Sequence, residues 1–425
     1  MATNKYDFEE IRKCKAARLE GTILNKRTDR IPFWPICRWF PANYANISYS
    51  EFFSDYEKQM NAFIKVAEDF DFDGFRPEFG LGLGIVFITA LCNYEEMGLM
   101  INPFITKNIH EVLQDKWSRW PGCELPVNAA PQVIGGKFME IEEYKSLIDD
   151  PIEFLNEVLL PRACKKFESP GSATYNAAWF MFGYESLKLR RSAEKLFLKL
   201  KDLGYPLVPM GMTSVPLDFI ADFLRHVTHT LTDLYRFSDV VEKAVEVLID
   251  PLIRTALNTS RISVVGEKFF DIKTTLVFMP LHLNEMLPPR LFEKYYWPSL
   301  KEIVDTLVKK ELRPLLFLEG DFTPFIRYLL EMPKGKVLVQ FEKTDLKKAR
   351  DILGDHVVLM GGIHPSHYIL GTPDTIKEEV KKLLDEMKQV GTFIFVGSSI
   401  GGIPDEAKPE NLKAAIDAVK KYGAY

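Results

Sequence analysis

Three apolar runs of this sequence stop at side chains that could bind a metal or move a proton: TTLVFMPL at His282, PLLFLE at Glu319 and HVVLMGGI at His364. An imidazole with carboxylate oxygen suits Zn²⁺ acting on an oxygen ligand, with one coordination position left open. Each residue also has a plainer role. A single histidine after a strand can be hydrogen-bonded scaffolding. Glu319 closes an apolar run, where an unpaired charge costs several kcal/mol, so some cation must compensate it. That cation is either a metal or an arginine such as Arg38 or Arg76. His364 lies in an HPSH turn and is suited to cap the next helix. Asp321 and Ser399 are placed to hydrogen-bond the ligands, or simply to make turns. The expected pocket lining is Arg38, Trp39, Phe40, Glu78, Met210 and Met212, with Trp39 and Phe40 stacking on a flat ligand. Asp218, Asp222 and Arg225 in PLDFIADFLR read as a structural ion-pair set. The glycines of GLGLG, residues 80–84, lack the spacing of a dinucleotide site and read as a turn beside the pocket.

The elements that must position these residues are short β-rich segments alternating with amphipathic helical ones. The strand segments are 31–37, 73–78, 206–212, 274–281, 314–319, 336–341, 356–362 and 392–397. Strands that alternate with helices pair in parallel through right-handed crossovers, and eight such units close into an α/β fold, the (β/α)8 TIM barrel. Chemistry then sits at the strands' C-terminal ends, where His282, Glu319 and His364 fall. One domain covers residues 1–425, with an N-terminal helical extension over 1–30. The stretch 79–205 is too long for one crossover and must insert a hairpin and helices near the barrel mouth.

Composition narrows the function. The chain of 425 residues carries 54 basic and 59 acidic side chains, a net charge of −5, with no long Lys/Arg run. Nucleic acid is therefore excluded as an expected partner, as is an anionic membrane surface. No apolar stretch approaches a membrane span and no secretory leader is visible, so a cytoplasmic protein is expected. The cysteines at 14, 37, 92, 123 and 164 form no CxxC pair and read as reduced thiols. Thirty-one Phe, 16 Tyr and 6 Trp supply core mass and also suit a pocket for a flat organic ligand.

The segments MGGIHPSHYILGTPDTIKEEVKKLL, GTFIFVGSSIGGIPDEAKPENLKAAIDAV, VPLDFIADFLR and LFEKYYWPSLKEIV resemble the uroporphyrinogen decarboxylase superfamily. That superfamily holds true decarboxylases and corrinoid-dependent methyltransferases. Of the decarboxylases' Arg-rich motif only Arg38 remains in IPFWPICRWFPANY, and FITALCNYEEMG lacks their Tyr-Ser-Asp. A substrate with eight carboxylates needs several cations in one cleft, which disfavours decarboxylation. The thiol-methylating branch binds zinc through His-x-Cys and a later Cys. Phe317, Glu319 and Ser399 stand at those positions. The harder set His282 and Glu319, with His364 as a third ligand, resembles the enzymes that demethylate methoxylated aromatic compounds in anaerobes. The resemblance implies zinc, a methoxylated aromatic substrate and transfer of its methyl group to Co(I). No Asp-x-His-x-x-Gly corrinoid signature occurs, so the corrinoid is expected on a separate carrier protein at the barrel mouth. Other methyl donors (a methylamine, a thioether, a pterin) and a metal-free, non-catalytic corrinoid-binding barrel are the competing readings. Self-association as a homodimer is left open.

Overall fold

The computed structural model describes residues 5–262, 266 and 269–425. Six strands, Met210–Met212, Leu276–Leu281, Arg313–Leu318, Leu338–Phe341, Val358–Ile363 and Phe393–Ser398, form one parallel sheet in chain order. The two N-terminal segments extend it through single bridges. Phe33 pairs in parallel with Phe395, and Ile36 with Arg76. The fold is a (β/α)8 barrel, and six of its eight segments match runs of apolar and β-branched residues. The first two carry Pro32, Pro35 and Pro77, which remove ladder donors, and so they pair at isolated points.

Side-chain alternation divides the apolar residues into two bodies. Leu276, Leu315, Leu338, Val358, Ile394 and Trp34 fill the barrel interior, with Leu19 and Ile23 of the N-terminal helix Lys5–Ile23. Their strand neighbours, such as Val277, Leu316 and Val339, face outward to the helices. The outer helices follow their sequence signals. Helix Pro373–Met387 starts where Thr372 Oγ1 accepts from the Thr375 amide, has Pro at its first turn, and buries Ile376, Val380, Leu384 and Met387 on one face.

Asp73 ties the first segment down. It is 2% exposed and accepts from Arg30 through both oxygens at 2.7 Å, from Arg18 at 2.5 Å and from the Phe33 amide at 2.8 Å. Residues 79–205 contain short helices, an antiparallel pair (Ser118–Arg119 with Gln132–Val133) and the long helix Ala173–Asp202. No helix among the described residues is long and apolar enough to cross a membrane.

Within that stretch, buried His110 joins helix Lys107–Leu113 to the following loop. Its ring meets Asp115 at 2.5 Å and Glu124 at 3.1 Å. Burial disfavours the imidazolium, but the two carboxylates outweigh it and raise the pKa. A pKa raised on folding contributes stability that is complete below the unfolded value, near 6.5, and is lost as pH climbs through the folded one. His110→Gln should therefore lower stability by about 2 kcal/mol at acid pH. The gap from the parent protein should narrow as pH rises above about 6.5. Urea melts across that range measure it, and a gap that is constant with pH contradicts a charged His110.

Candidate functional site

His282 follows strand Leu276–Leu281 and is a quarter exposed at the barrel mouth. Two aspartates one helical turn apart face it. Asp222 Oδ1 lies 3.2 Å from Nε2, and Asp218 Oδ1 lies 3.9 Å from Nδ1. Both come from the helix that begins at Pro216–Phe219 and widens into a π-helical turn over Ile220–Arg225. An i, i+4 spacing puts the carboxylates on one face, and single π turns often occur at functional sites. Asp218 is fully buried and fixed, accepting from Tyr296 Oη at 2.6 Å and from the Leu283 amide at 3.1 Å.

Glu319 stands at the end of the next strand, its carbonyl held by Asn284 Nδ2 at 2.9 Å. The turn after it needs Gly320, whose φ is +71° and where a Cβ would collide with the Glu285 carboxylate. Charges in this cluster are strongly coupled. Burial pushes Asp222 up to about 7; His282 opposes that rise while Asp218 and Glu319 add to it. Burial also raises Glu319 and Asp218, against the pull of His282 on both. For His282 burial works against the cation, yet Asp218, Asp222 and Glu319 together raise its pKa.

Three carboxylates around one imidazole leave an excess of negative charge in a poorly solvated place, which a divalent cation would offset. The donor types, imidazole nitrogen and carboxylate oxygen, fit zinc. As the side chains stand, no three His, Cys, Asp or Glu among the described residues converge closely enough to hold an ion.

Arg38, in the left-handed region at φ +25°, sits among acids. It opposes the burial that raises Glu319, Glu78 (to about 7) and Asp405 (to about 6). Met210 and Met212 are half-buried on the third barrel strand, and a Cβ at Gly82 of the GLGLG turn would lie 3.0 Å from Met212 Cε. Ser399 is half-buried and its amide donates to Ile363 at 2.9 Å. Asp321 is exposed and caps its own turn through the Thr323 amide at 2.9 Å.

Several sequence expectations need correction. His364 is exposed and bonds Ser366 Oγ at 2.7 Å, so it caps its turn and is not brought to His282. Trp39 and Phe40 are buried, packed on Phe53 at 4.8 Å and on Tyr44 at 5.4 Å, so both rings are core and neither is free to stack on a ligand. The ion pair of the PLDFIADFLR segment is Arg225 with Asp233, at 2.8 Å, while Asp218 and Asp222 turn to His282. Their i, i+4 spacing was the signal for that. Tyr296 and Asn284 carried no comparable sequence signal.

The profile described as uroporphyrinogen decarboxylase (URO-D) matches residues 201–422, just over half of the chain. The chain belongs to the uroporphyrinogen decarboxylase family. The matched part spans the third to eighth barrel strands and so contains His282, Asp218, Asp222 and Glu319. The uroporphyrinogen decarboxylase of Syntrophotalea carbinolica is 31% identical over 137 residues, 32% of this chain and 38% of that protein. The methylcobamide:CoM methyltransferase MtbA of Methanosarcina acetivorans is 25% identical over 150 residues, 35% of this chain and 42% of that one. The alignments thus span well under half the length of these family members. A methyltransferase from Methanosarcina mazei shares the fold, with a TM-score of 0.61 at 14% identity over 96% of this chain and 98% of its own.

Proposed function

We propose that this chain is a methyltransferase that moves the methyl group of a methoxylated aromatic compound to the Co(I) of a corrinoid carried by a separate protein. The observation that carries this reading is the His282, Asp218, Asp222 and Glu319 cluster at the barrel mouth, with the Phe278 and Phe317 rings stacked on neighbouring strands. His282 and Glu319 would hold zinc, with Asp222 beside them, and the ion when bound would supply Lewis-acid stabilisation of the departing aryloxide.

The chain's own contribution is positional and protonic. Asp218, locked by Tyr296 and the Leu283 amide, fixes the negative field beside the imidazole. Phenols ionise near pKa ~10, so an aryloxide leaves poorly unless its charge is met. Asp222, whose Oδ1 lies 3.2 Å from His282 Nε2, can carry a proton to the phenolate oxygen. Phe278 and Phe317, stacked with centroids 6.4 Å apart, offer flat surfaces for an aryl ring. A substrate with eight carboxylates would meet Asp222, Glu319, Glu78 and Asp405 at this mouth, which supports methyl transfer over porphyrinogen decarboxylation.

Mixing the purified protein with a reduced corrinoid carrier and a panel of aryl methyl ethers should yield methylcobalamin absorbance and an equal amount of free phenol. Neither signal, with the carrier demonstrably in the Co(I) state, overturns the proposal.

A further inference from the structure

We propose that the barrel interior contains an anion subsite in which Arg76 and Gln340 bind the single carboxylate of an aromatic acid; the rest of the ligand follows the aryl-ether reading above. Arg76 is 9% exposed, and its Nη1 is buried without a hydrogen-bond partner. Its guanidinium lies over the Trp34 ring at 4.8 Å and within 5.8 Å of the Phe278 ring, so aromatic faces hold it while a donor edge stays free. Gln340 is fully buried, and neither its Nε2 nor its Oε1 has a partner. Leaving a whole amide and a guanidinium N–H unsatisfied above an apolar floor is costly, and a ligand that completes them removes the cost.

Both side chains point inward. Arg76 packs on Trp34, a member of the interior cluster, and Gln340 is two residues from Leu338, another member. Gln340 is also register partner to Phe317, whose ring stacks with Phe278. Gly401, at φ +95°, packs close against both, since a Cβ there would lie 2.9 Å from Gln340 Nε2 and 3.3 Å from Phe317 Cζ, so a side chain at 401 would crowd the amide.

The chemistry selects the ligand. A guanidinium edge matches a planar carboxylate, the amide Nε2 supplies a second donor, and stacked phenylalanines accept a ring. One cation matches one negative charge. A dianion would be opposed by Glu78 and Glu319. Glu78, which burial pushes up to about 7, is the acid that acts on Arg76, and it carries only part of a charge at neutral pH.

Calorimetric titration of the full chain with benzoate and with its neutral isostere benzamide tests the subsite without a carrier or a reaction. Benzoate should bind about 10- to 100-fold more tightly than benzamide. Arg76→Met should abolish that preference, and it should melt lower than the parent to the extent that Glu78 loses a counter-charge. Gln340→Leu should weaken benzoate about 10-fold, and it decides the question where Arg76→Met does not fold. Equal binding of benzoate and benzamide by the parent protein overturns the proposal, as does an undiminished preference in folded Arg76→Met or, failing that variant, in Gln340→Leu. A clear benzoate preference without demethylation of methoxybenzoates would count against methyl transfer and leave the subsite standing. Demethylation of neutral anisoles without the preference would do the reverse.

Discussion

Glu319→Ala should lower methyl transfer by about 10³-fold or more and strip zinc from the metal-replete protein, with His282→Ala doing the same. Lewis-acid stabilisation of a departing oxygen is worth several kcal/mol, and each ~1.4 kcal/mol is a factor of ten in rate. Both residues lie at strand ends on the upper face, where side chains serve function more than folding, so the melting temperature should barely move. The structure sharpens the competing outcome. His282 is the cation that most opposes the rise of the Glu319 pKa, with Arg38 a smaller contributor, and both Arg38 and Arg76 act on Glu78. Were Glu319 chiefly the partner of Arg38, its loss would cost stability with zinc retained, though less than the roughly 3 kcal/mol of a stranded charge, because Glu78 and Asp405 still face that guanidinium. Metal content and melting curves of the two variants, taken together, separate these results. Early melting with full zinc in Glu319→Ala would refute the ligand assignment.

Asp73→Ala should be the most destabilising single substitution away from the mouth. It strands Arg18 and Arg30, each with more than four-fifths of its side chain buried, and leaves the Phe33 amide without its acceptor. Breaking a buried pair by removing one partner costs about 3 to 5 kcal/mol. A chain of this length has an unfolding entropy near ~0.9 kcal/mol/K, so the melting temperature should fall by roughly 3 to 6 °C. Asp73→Asn, which keeps one acceptor oxygen, should recover part of the loss. Calorimetry on both variants gives the answer, and an unshifted Asp73→Ala transition would show that the network contributes nothing net.

The barrel was legible because its last six strands are apolar runs buried on both faces, punctuated by Gly and capped helices. The strand-end rule selected His282 and Glu319, which lie at neighbouring strand ends and act on one another's charge. It failed for Trp39 and Phe40, since lying past a strand end says nothing about whether the chain turns back into the core. Here helix Phe40–Tyr44 does so. It also missed Asp218 and Asp222, which sit on a helix after the third strand. Their role depends on a π turn and on Tyr296, 78 residues away in the chain. Gln340 was invisible for a different reason: in LVQF it is one polar residue in a strand, and only the unmet hydrogen bonds of the folded interior single it out.

The single bridges that seat the first segment have a consequence for how the molecule assembles. Its neighbours on one side lie at the far end of the chain: Phe33 pairs with Phe395, the Ile31 amide donates to Gly423, and Arg27 reaches the Gly391 carbonyl across 364 residues. Contacts of such high sequence separation bear the full loop-closure entropy and are rewarded late. The continuous six-strand ladder can nucleate by joining neighbours in order, whereas the N-terminal segment has to wait for residues near 395 and 423. Ring closure should therefore be a late kinetic step, with a transient open-edged sheet before it whose exposed strand borders are the part of the pathway most prone to aggregate.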